Sequence, residues 1–554
     1  MTDIACCKPP RRNRPARLLC RLLLIGLVLL LLGWLILAIP GWGTARVIRT
    51  DLLETLNAPI LESPEKERAW PSIRTGLAAL GSSNPLGPDE SGVPVSQQDS
   101  FRMLDVIADL GQAHGEADDD ALEKLVRERL LDRVGATLGD PGQVRTWFEE
   151  NQPVLTDLRE AVQRPVLGIP YWIGAPTDPD DRRYFLDPTI HDALAREGWP
   201  TVTGGLPGLE IEITVMSDLR LLGRLLCADA SVAVRARDGA RAVADLVAAG
   251  RLADLLVDRT MLIEQLCGHS IRQLAVNTLV GLLTNHASAF TDADLETLER
   301  SFASDRPGRY AIDMTGERLL FEDLLQRVYS DDGSGDGVFR LEHAAALGGG
   351  PPVPTSGVFG TLLGPFLNMY IPSRREANDL FAEHLDLIEQ GSLGRLGEID
   401  WAALDAVEDR AKPRSGSLTD QLRSFPISLF MVGSKNLVTA NQLGGTERAG
   451  ARVAVALLRY RRLHGGWPPS LEALVPDLLP SSPRDPYAGA PLRYAVREGA
   501  PLLWSIGANR VDDEGSTPGT GSDADVAARR FERPEDAGSL EPGDWILWRG
   551  PVRP

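Results

Sequence analysis

The sequence predicts a mainly α-helical protein: a helical bundle or irregular α-solenoid body that follows one transmembrane helix and ends in a small C-terminal α+β module. Three observations predict this class. They are an uncharged leucine-rich run near the N-terminus, helical spacing of apolar residues as far as about residue 435, and strand-like alternation beyond residue 490. Because 554 residues exceed what one hydrophobic core normally supports, we expect more than one structural unit.

The N-terminal run covers residues 22–39 and reads LLLIGLVLLLLGWLILAI. An uncharged run of this length can cross the hydrocarbon layer as a helix. Six basic residues precede it and two follow closely, so the positive-inside rule predicts a cytoplasmic tail at 1–21 and a lipid-contacting helix at 22–42. The bulk of the chain would then lie in the periplasm, outside a bacterial cytoplasmic membrane. A cleaved signal peptide, with Gly43-Thr44-Ala45 as the cleavage site, is the alternative.

The net charge of the chain beyond residue 21 limits the classes of molecule that it can bind. Beyond residue 21 there are 52 basic and 76 acidic residues, a net charge of −24. Such a surface repels the phosphates of nucleic acids, which we therefore exclude as partners. Divalent cations or basic protein surfaces in the envelope fit better.

The exported helical domain is predicted over residues 43–440. Helices are predicted near residues 50–57, 66–80, 98–113, 119–137, 142–163, 218–228, 259–285 and 317–329. Residues 240–256 read as a helix, a turn at Gly250 and the start of another helix. Cys227 and Cys267 fall on neighbouring predicted helices, where they would either form a disulfide or stay as buried thiols.

One long stretch, residues 348–373, contains no charged residue before Arg374. Its Gly and Pro content argues against a second membrane span. It is predicted to form a buried loop and helix, and interfacial contact with the membrane is the alternative.

The C-terminal module is predicted over residues 441–554. An amphipathic helix at 446–464 precedes a β-hairpin whose strands alternate around a Glu498-Gly499 turn. Residues 544–548 supply a third strand. We expect one helix packed on a small antiparallel sheet.

Several short strings in this module carry a family resemblance. They are Tyr460-Arg-Arg-Leu-His-Gly-Gly-Trp-Pro468, Ser470-Leu-Glu-Ala-Leu474, Asp485-Pro-Tyr487, Leu492-Arg-Tyr494 and Ser505-Ile-Gly-Ala-Asn509. Together they resemble the globular part of the type II secretion major pseudopilins over about 80 residues. The complete chain also resembles large bacterial membrane proteins that combine an anchor, a helical body and a pseudopilin-like tail.

The resemblance implies a calcium-binding loop after the hairpin. Asp512, Asp513, Asp523 and Asp525 are the candidate ligands, and carboxylates on a flexible loop suit calcium. A solvated acidic loop is the alternative. The helix at 446 follows a polar segment, and the run at 22–39 has neither the processing site nor the early glutamate of pseudopilins, so assembly into a pilus is not expected.

A second candidate calcium loop is Asp332-Gly-Ser334-Gly-Asp336-Gly337, which matches the first six positions of an EF-hand loop. Its candidate ligands are Asp332, Ser334 and Asp336. Position 12, a bidentate glutamate in EF-hands, is His343 in this chain, so an ordinary Asp/Gly turn is the alternative.

The sequence contains no catalytic signature of the metalloprotease, Walker or dinucleotide-binding type. Gly268-His269-Ser270 lies in a predicted helix and lacks the last glycine of a nucleophile elbow, and His269 is predicted to be a core histidine. We therefore expect a non-enzymatic envelope scaffold that makes protein contacts and responds to calcium. The alternatives are an accessory component of a secretion or pilus-like system and an envelope hydrolase that uses carboxylates of the helical body.

Overall fold

The computed structural model describes most of the chain. The described residues are 14–38, 45–82, 108, 112, 141–185, 211–302, 311–341, 343, 364–393, 399–413, 417–431, 433–507, 509–516 and 543–551. Apart from residues 108 and 112, the helices predicted near 98–113 and 119–137 lie outside these ranges. So do Asp523 and Asp525 of the predicted calcium loop.

The structure is mainly helical, as predicted, with a small antiparallel sheet near the C-terminus. Its helices are α1 (Arg14–Ala38), α2 (Leu52–Glu62), α3 (Trp70–Ser82), α4 (Pro141–Glu150), α5 (Gln152–Ala161), α6 (Pro179–Phe185), α7 (Val215–Arg235), α8 (Gly239–Val257), α9 (Leu262–Asn285), α10 (Asp292–Phe302), α11 (Thr315–Val328), α12 (Arg374–Leu393), α13 (Trp401–Ala411), α14 (Leu418–Ser424) and α15 (Ser434–His464). The strands are β1 (Arg493–Arg497), β2 (Ala500–Ser505) and β3 (Trp545–Arg549).

Two sequence-based helix boundaries are wrong. The predicted turn at Gly250 is absent, because α8 continues through this residue, where an added side chain would meet open space. Residues 142–163 were predicted as one helix, but they form two helices separated at Asn151. Pro153 enters the first turn of α5, where its missing N–H is tolerated.

The centre of the body is formed by α7, α8 and α9, which pack on one another. Close approach of α9 to α8 depends on Gly268, since a Cβ atom there would lie 2.7 Å from the backbone oxygen of Ala253. One apolar core lies between this triple and α3 to α5, and a second between it and α10 to α15. Cys227 and Cys267 are buried free thiols in the first core, and burial raises the pKa of each to about 12.

A buried ionic cluster joins α5, α7 and α8. Asp229 of α7 and Asp245 of α8 are completely buried and share the guanidinium of Arg159, at 2.5 Å each. Arg241 also pairs with Asp229. Burial, followed by the charge of Asp229, raises the pKa of Asp245 well above the usual range. These ion pairs therefore link the three helices, and removal of one partner would leave a buried charge unpaired.

The C-terminal sheet has the order β1-β2-β3, and both pairs are antiparallel. Glu498 and Gly499 form the predicted hairpin turn with positive φ angles of 51° and 81°. The sheet packs on α15, where the absence of a side chain at Gly450 leaves room for Leu547 of β3. Trp548 Nε1 donates a hydrogen bond of 3.1 Å to Thr284 Oγ1 of α9, so the sheet also contacts the helical body.

The C-terminal module shares its core with the body. Helix α15 begins at Ser434, so the predicted domain boundary at 440/441 falls inside one continuous helix. This helix packs on α9, α10 and α12 of the body as well as on β3 of the sheet. The apolar residues of the sheet belong to the same core as those of α9 to α12.

Helix α1 contains residues 22–38 of the leucine-rich run, and its apolar side chains from Leu23 to Ile36 are largely exposed. Within α1, the structure describes the side chains of residues 23–36. In the described part of the chain, no helix combines the length and the apolarity that crossing a membrane requires.

Candidate functional site

A pocket of about 420 Å³ lies between α9 and α15. Its walls are mainly apolar, with contributions from Leu266 of α9 and from Leu437 and Leu443 of α15. Ile312, which precedes α11, closes one side. This volume is in the range of pockets that hold small organic molecules.

His269 is the most unusual polar residue of this pocket. Its Nε2 atom is shielded from solvent and has no hydrogen-bond partner among the described residues. Burial lowers the pKa of His269 to about 3, and the nearby guanidinium groups of Arg448 and Arg272 act in the same direction. The imidazole is therefore neutral at physiological pH and can exchange a hydrogen bond with a ligand. The sequence-based interpretation as a core histidine missed this position at a pocket wall.

Asn441 supplies a second buried polar atom that has no hydrogen-bond partner among the described residues. Its Nδ2 lies 3.4 Å from the backbone oxygen of Ser392, whereas its Oδ1 is buried and has no partner within the described structure. Leaving such an acceptor unsatisfied costs about 1–3 kcal/mol. A bound molecule that donates a hydrogen bond would recover part of this cost.

The charges of the pocket are largely balanced. Arg272 pairs with Asp254 of α8 and donates to the backbone oxygen of Gly250 at 3.3 Å. The other two charged residues in the wall, Glu447 and Arg448, have opposite signs. Because the lining residues include a single carboxylate, they do not form the carboxylate pair that the hydrolase alternative needs. The pocket therefore suits a mainly apolar molecule with one small neutral polar group.

The hydroxyl group of Ser270 is not arranged as a nucleophile. It donates a hydrogen bond of 2.8 Å to the backbone oxygen of Cys267 inside α9. A serine nucleophile instead needs a base within hydrogen-bond reach of its hydroxyl group.

A group of buried carboxylates lies at the N-terminus of α9, outside the pocket. Glu264 accepts hydrogen bonds from Arg259 Nε at 2.8 Å and from the hydroxyl group of Tyr171. Glu317 of α11 accepts the backbone N–H of Leu262 at 3.0 Å. Burial raises the pKa of Glu317 to about 7, and its Oε2 has no partner in the described part of the chain. The hydrogen bond between Leu262 and Glu317 links the first turns of α9 and α11, and the raised pKa of Glu317 predicts that this link depends on pH.

The predicted calcium loop at residues 332–337 is compact and internally hydrogen-bonded. Asp332 Oδ1 accepts the backbone N–H of Ser334 at 2.7 Å, which lowers the pKa of Asp332. Asp336 Oδ1 accepts the backbone N–H of Arg375, and the Arg375 guanidinium donates to the oxygen atoms of Ser334. The three candidate ligands are thus brought together, with a guanidinium group among them.

Of the predicted calcium loop after the hairpin, the structure describes Asp512 and Asp513. Asp512 pairs with Arg493 at 2.9 Å, and Asp513 accepts the N–H of Gly543 at 2.6 Å. Asp544 lies beside them, and its pKa is raised by burial and by both neighbouring carboxylates. No group of three His, Cys, Asp or Glu side chains is placed to hold a metal ion within the ranges that the structure describes. Calcium binding at either loop stays a prediction.

Comparison with family models, with curated proteins and with solved structures finds no match to this chain. The assignment of a site therefore depends on the geometry alone. Sequence reasoning missed the pocket residues of α15, because Asn441, Glu447 and Arg448 follow no motif. Their pairing with α9 arises from tertiary packing.

Proposed function

We propose that the chain is a membrane-anchored, non-enzymatic envelope protein whose helical body acts as a scaffold and holds a small, mainly apolar molecule between α9 and α15. The observation that carries this proposal is the pocket with two buried polar atoms, His269 Nε2 and Asn441 Oδ1, that lack partners in the described structure. Apolar walls supply most of the binding free energy, and the two polar atoms orient the ligand. An alcohol or amide with an alkyl chain has the required chemistry.

Decan-1-ol is a suitable probe, because it combines an apolar chain with one hydroxyl group. Native mass spectrometry of the full-length protein in a volatile detergent should show one bound decanol per chain. Asn441→Leu removes the acceptor at similar volume, so we expect roughly fivefold weaker binding, equivalent to about 1 kcal/mol for one hydrogen bond.

Two adjacent glycines of α15 offer a matched pair of variants. Gly444 lines the pocket, whereas Gly445 is not among its lining residues. Gly444→Phe should therefore fill the cavity and lower decanol occupancy at least about tenfold, or about 1.4 kcal/mol. Gly445→Phe should bind decanol like the wild-type protein. Absence of binding to the wild-type protein, or equal losses in both variants, would refute the proposed ligand site.

The membrane anchor is supported by residues 22–39, which are uncharged in the sequence, and by the exposure of the leucines of α1. Eighteen uncharged residues are close to the roughly 20 that a spanning helix needs. We expect the full-length protein to float with liposomes and to resist extraction by carbonate. Replacing Leu30 and Leu31 with Arg should abolish flotation, because charges in the middle of the run are costly to place in lipid. Replacing the same two residues with Ile should leave flotation unchanged.

The calcium response is a separate part of the proposal. Binding of an ion to the folded state alone raises stability with ion concentration. We expect the melting temperature of the full chain to rise at millimolar calcium and to return after chelation. The response should be lost in Asp513→Asn if the hairpin loop binds the ion, and in Asp336→Asn if the other loop does.

A further inference from the structure

The chain that leaves α1 is fixed to one particular face of the body. Asp331 donates its backbone N–H to the oxygen of Ala45 at 2.9 Å, and its carboxylate pairs with Arg49 at 2.7 Å. Gln326 of α11 donates to the backbone oxygen of Thr50 at 2.7 Å. Helix α1 ends at residue 38, and the seven steps to residue 45 can span at most about 25 Å. The face around Asp331 therefore lies within this distance of the end of α1.

An exposed apolar turn belongs to the same face. Phe366, Met369 and Tyr370 are 39%, 57% and 37% exposed and lie within one helical turn of each other. The segment that follows is bound to the Asp331 loop, because Arg374 Nη1 contacts Asp331 Oδ2 at 3.2 Å. This turn belongs to the charge-free stretch of residues 348–373, for which the sequence predicts a buried loop and helix. At these three positions that prediction is wrong.

Two further apolar residues extend the patch. Val47 and Ile48 are 40% and 46% exposed and lie between Ala45 and Arg49, which both contact Asp331. We define the membrane-facing patch as Val47, Ile48, Phe366, Met369 and Tyr370. Exposed apolar side chains that cluster on one face mark an interaction surface.

Several arginines flank the patch. Exposed arginines flank it at positions 46, 49, 375 and 423, and the Arg423 guanidinium lies 6.0 Å from the ring centre of Tyr370. Acidic residues lie there as well: Asp331 pairs with Arg49, and Asp332, Glu376 and Asp379 are exposed. These arginines place positive charge beside the apolar patch, and such charge is complementary to anionic lipid headgroups.

We propose that the membrane-facing patch lies in the lipid interface of the membrane that holds α1, with Phe366, Met369 and Tyr370 at the boundary between headgroups and acyl chains. This inference rests on the proposed anchor. Tyrosine is favoured at this depth because its ring is apolar and its hydroxyl group is polar, and arginine can extend its charge to the headgroups. The body would consequently lie against the bilayer with a fixed orientation.

A polarity-sensitive label tests this contact in the full-length protein. Met369→Cys is labelled with the fluorophore NBD after Cys6, Cys7 and Cys20 are replaced by serine, and the protein is reconstituted in vesicles of zwitterionic and anionic phospholipid. Leu463→Cys is the matched control, since Leu463 is 67% exposed near the far end of the 31-residue α15. We expect at least about twofold brighter, blue-shifted emission at position 369, with quenching by lipids that carry a nitroxide in the acyl chain. The label at position 463 should behave as in water.

The outcomes separate this inference from the anchor. Aqueous emission at position 369 in a protein that still floats with the vesicles would overturn the lipid contact and leave the anchor intact. Loss of flotation would overturn the anchor and the inference together. Blue-shifted emission without lipid quenching, accompanied by cross-links between two copies at position 369, would identify a second chain as the occupant and would also overturn the inference.

Discussion

The buried carboxylate of Glu317 should make the stability of the body depend on pH. Its pKa is raised by burial from 4.5 to about 7 in the folded protein. A group whose folded-state pKa is raised stabilises the fold fully below its unfolded pKa, and this stabilisation is lost as pH rises through the folded pKa. Over the full pKa shift, the free energy of unfolding falls by about 3 kcal/mol, and about 2 kcal/mol of this loss occurs between pH 5.5 and 8.

The variant Glu317→Gln isolates this contribution. Its amide is neutral at every pH, and its oxygen can still accept the N–H of Leu262 that the carboxylate accepts at 3.0 Å. The free energy of unfolding would be measured by urea denaturation of the detergent-solubilised full chain at pH 5.5 and 8. The variant should gain about 2 kcal/mol relative to the wild-type protein on going from the lower to the higher pH.

Glu322→Gln provides the control, because it changes an exposed residue of the same helix and leaves Glu317 in place. This control should retain the wild-type pH dependence. If the difference between Glu317→Gln and the wild-type protein changes by less than about 0.5 kcal/mol between the two pH values, the argument from burial fails.

Three further predictions concern buried charge and packing. Asp229→Ala leaves two arginines without their shared buried partner and should lower the free energy of unfolding by about 3–5 kcal/mol in a urea titration. Glu383→Ala is the control, because it removes an exposed ion pair and should lower the free energy of unfolding by at most about 1 kcal/mol. Gly450→Val should destabilise by about 1–3 kcal/mol because β3 lies against this position. Gly250→Ala, in open space within α8, should stabilise by about 0.5–1 kcal/mol, and a loss of stability there would contradict the account of the continuous helix.

Local sequence patterns predicted the elements whose signals are short-range. The hairpin turn at Glu498-Gly499 was predictable because a two-residue turn needs positive φ angles, which glycine adopts without strain. Apolar spacing likewise predicted α7 and α9. Helix α7 extends beyond the predicted range of 218–228 at both ends, and α9 begins at Leu262 rather than at residue 259. The turn expected at Gly250 failed because α8 packs between two other helices, and this packing outweighs the roughly 1 kcal/mol that a glycine costs inside a helix.

By itself, the sequence determined the helical class of the body, the hairpin with its third strand, and the uncharged run at residues 22–39. These features depend on the chemistry of neighbouring residues, which the backbone converts directly into periodicity and turns. Tertiary structure alone decided that His269 and Asn441 line one pocket, that Asp229 and Asp245 share Arg159, and that residue 45 is bonded to residue 331. Each of these pairs is separated by many residues, and their proximity follows from how whole helices pack, which no local pattern encodes.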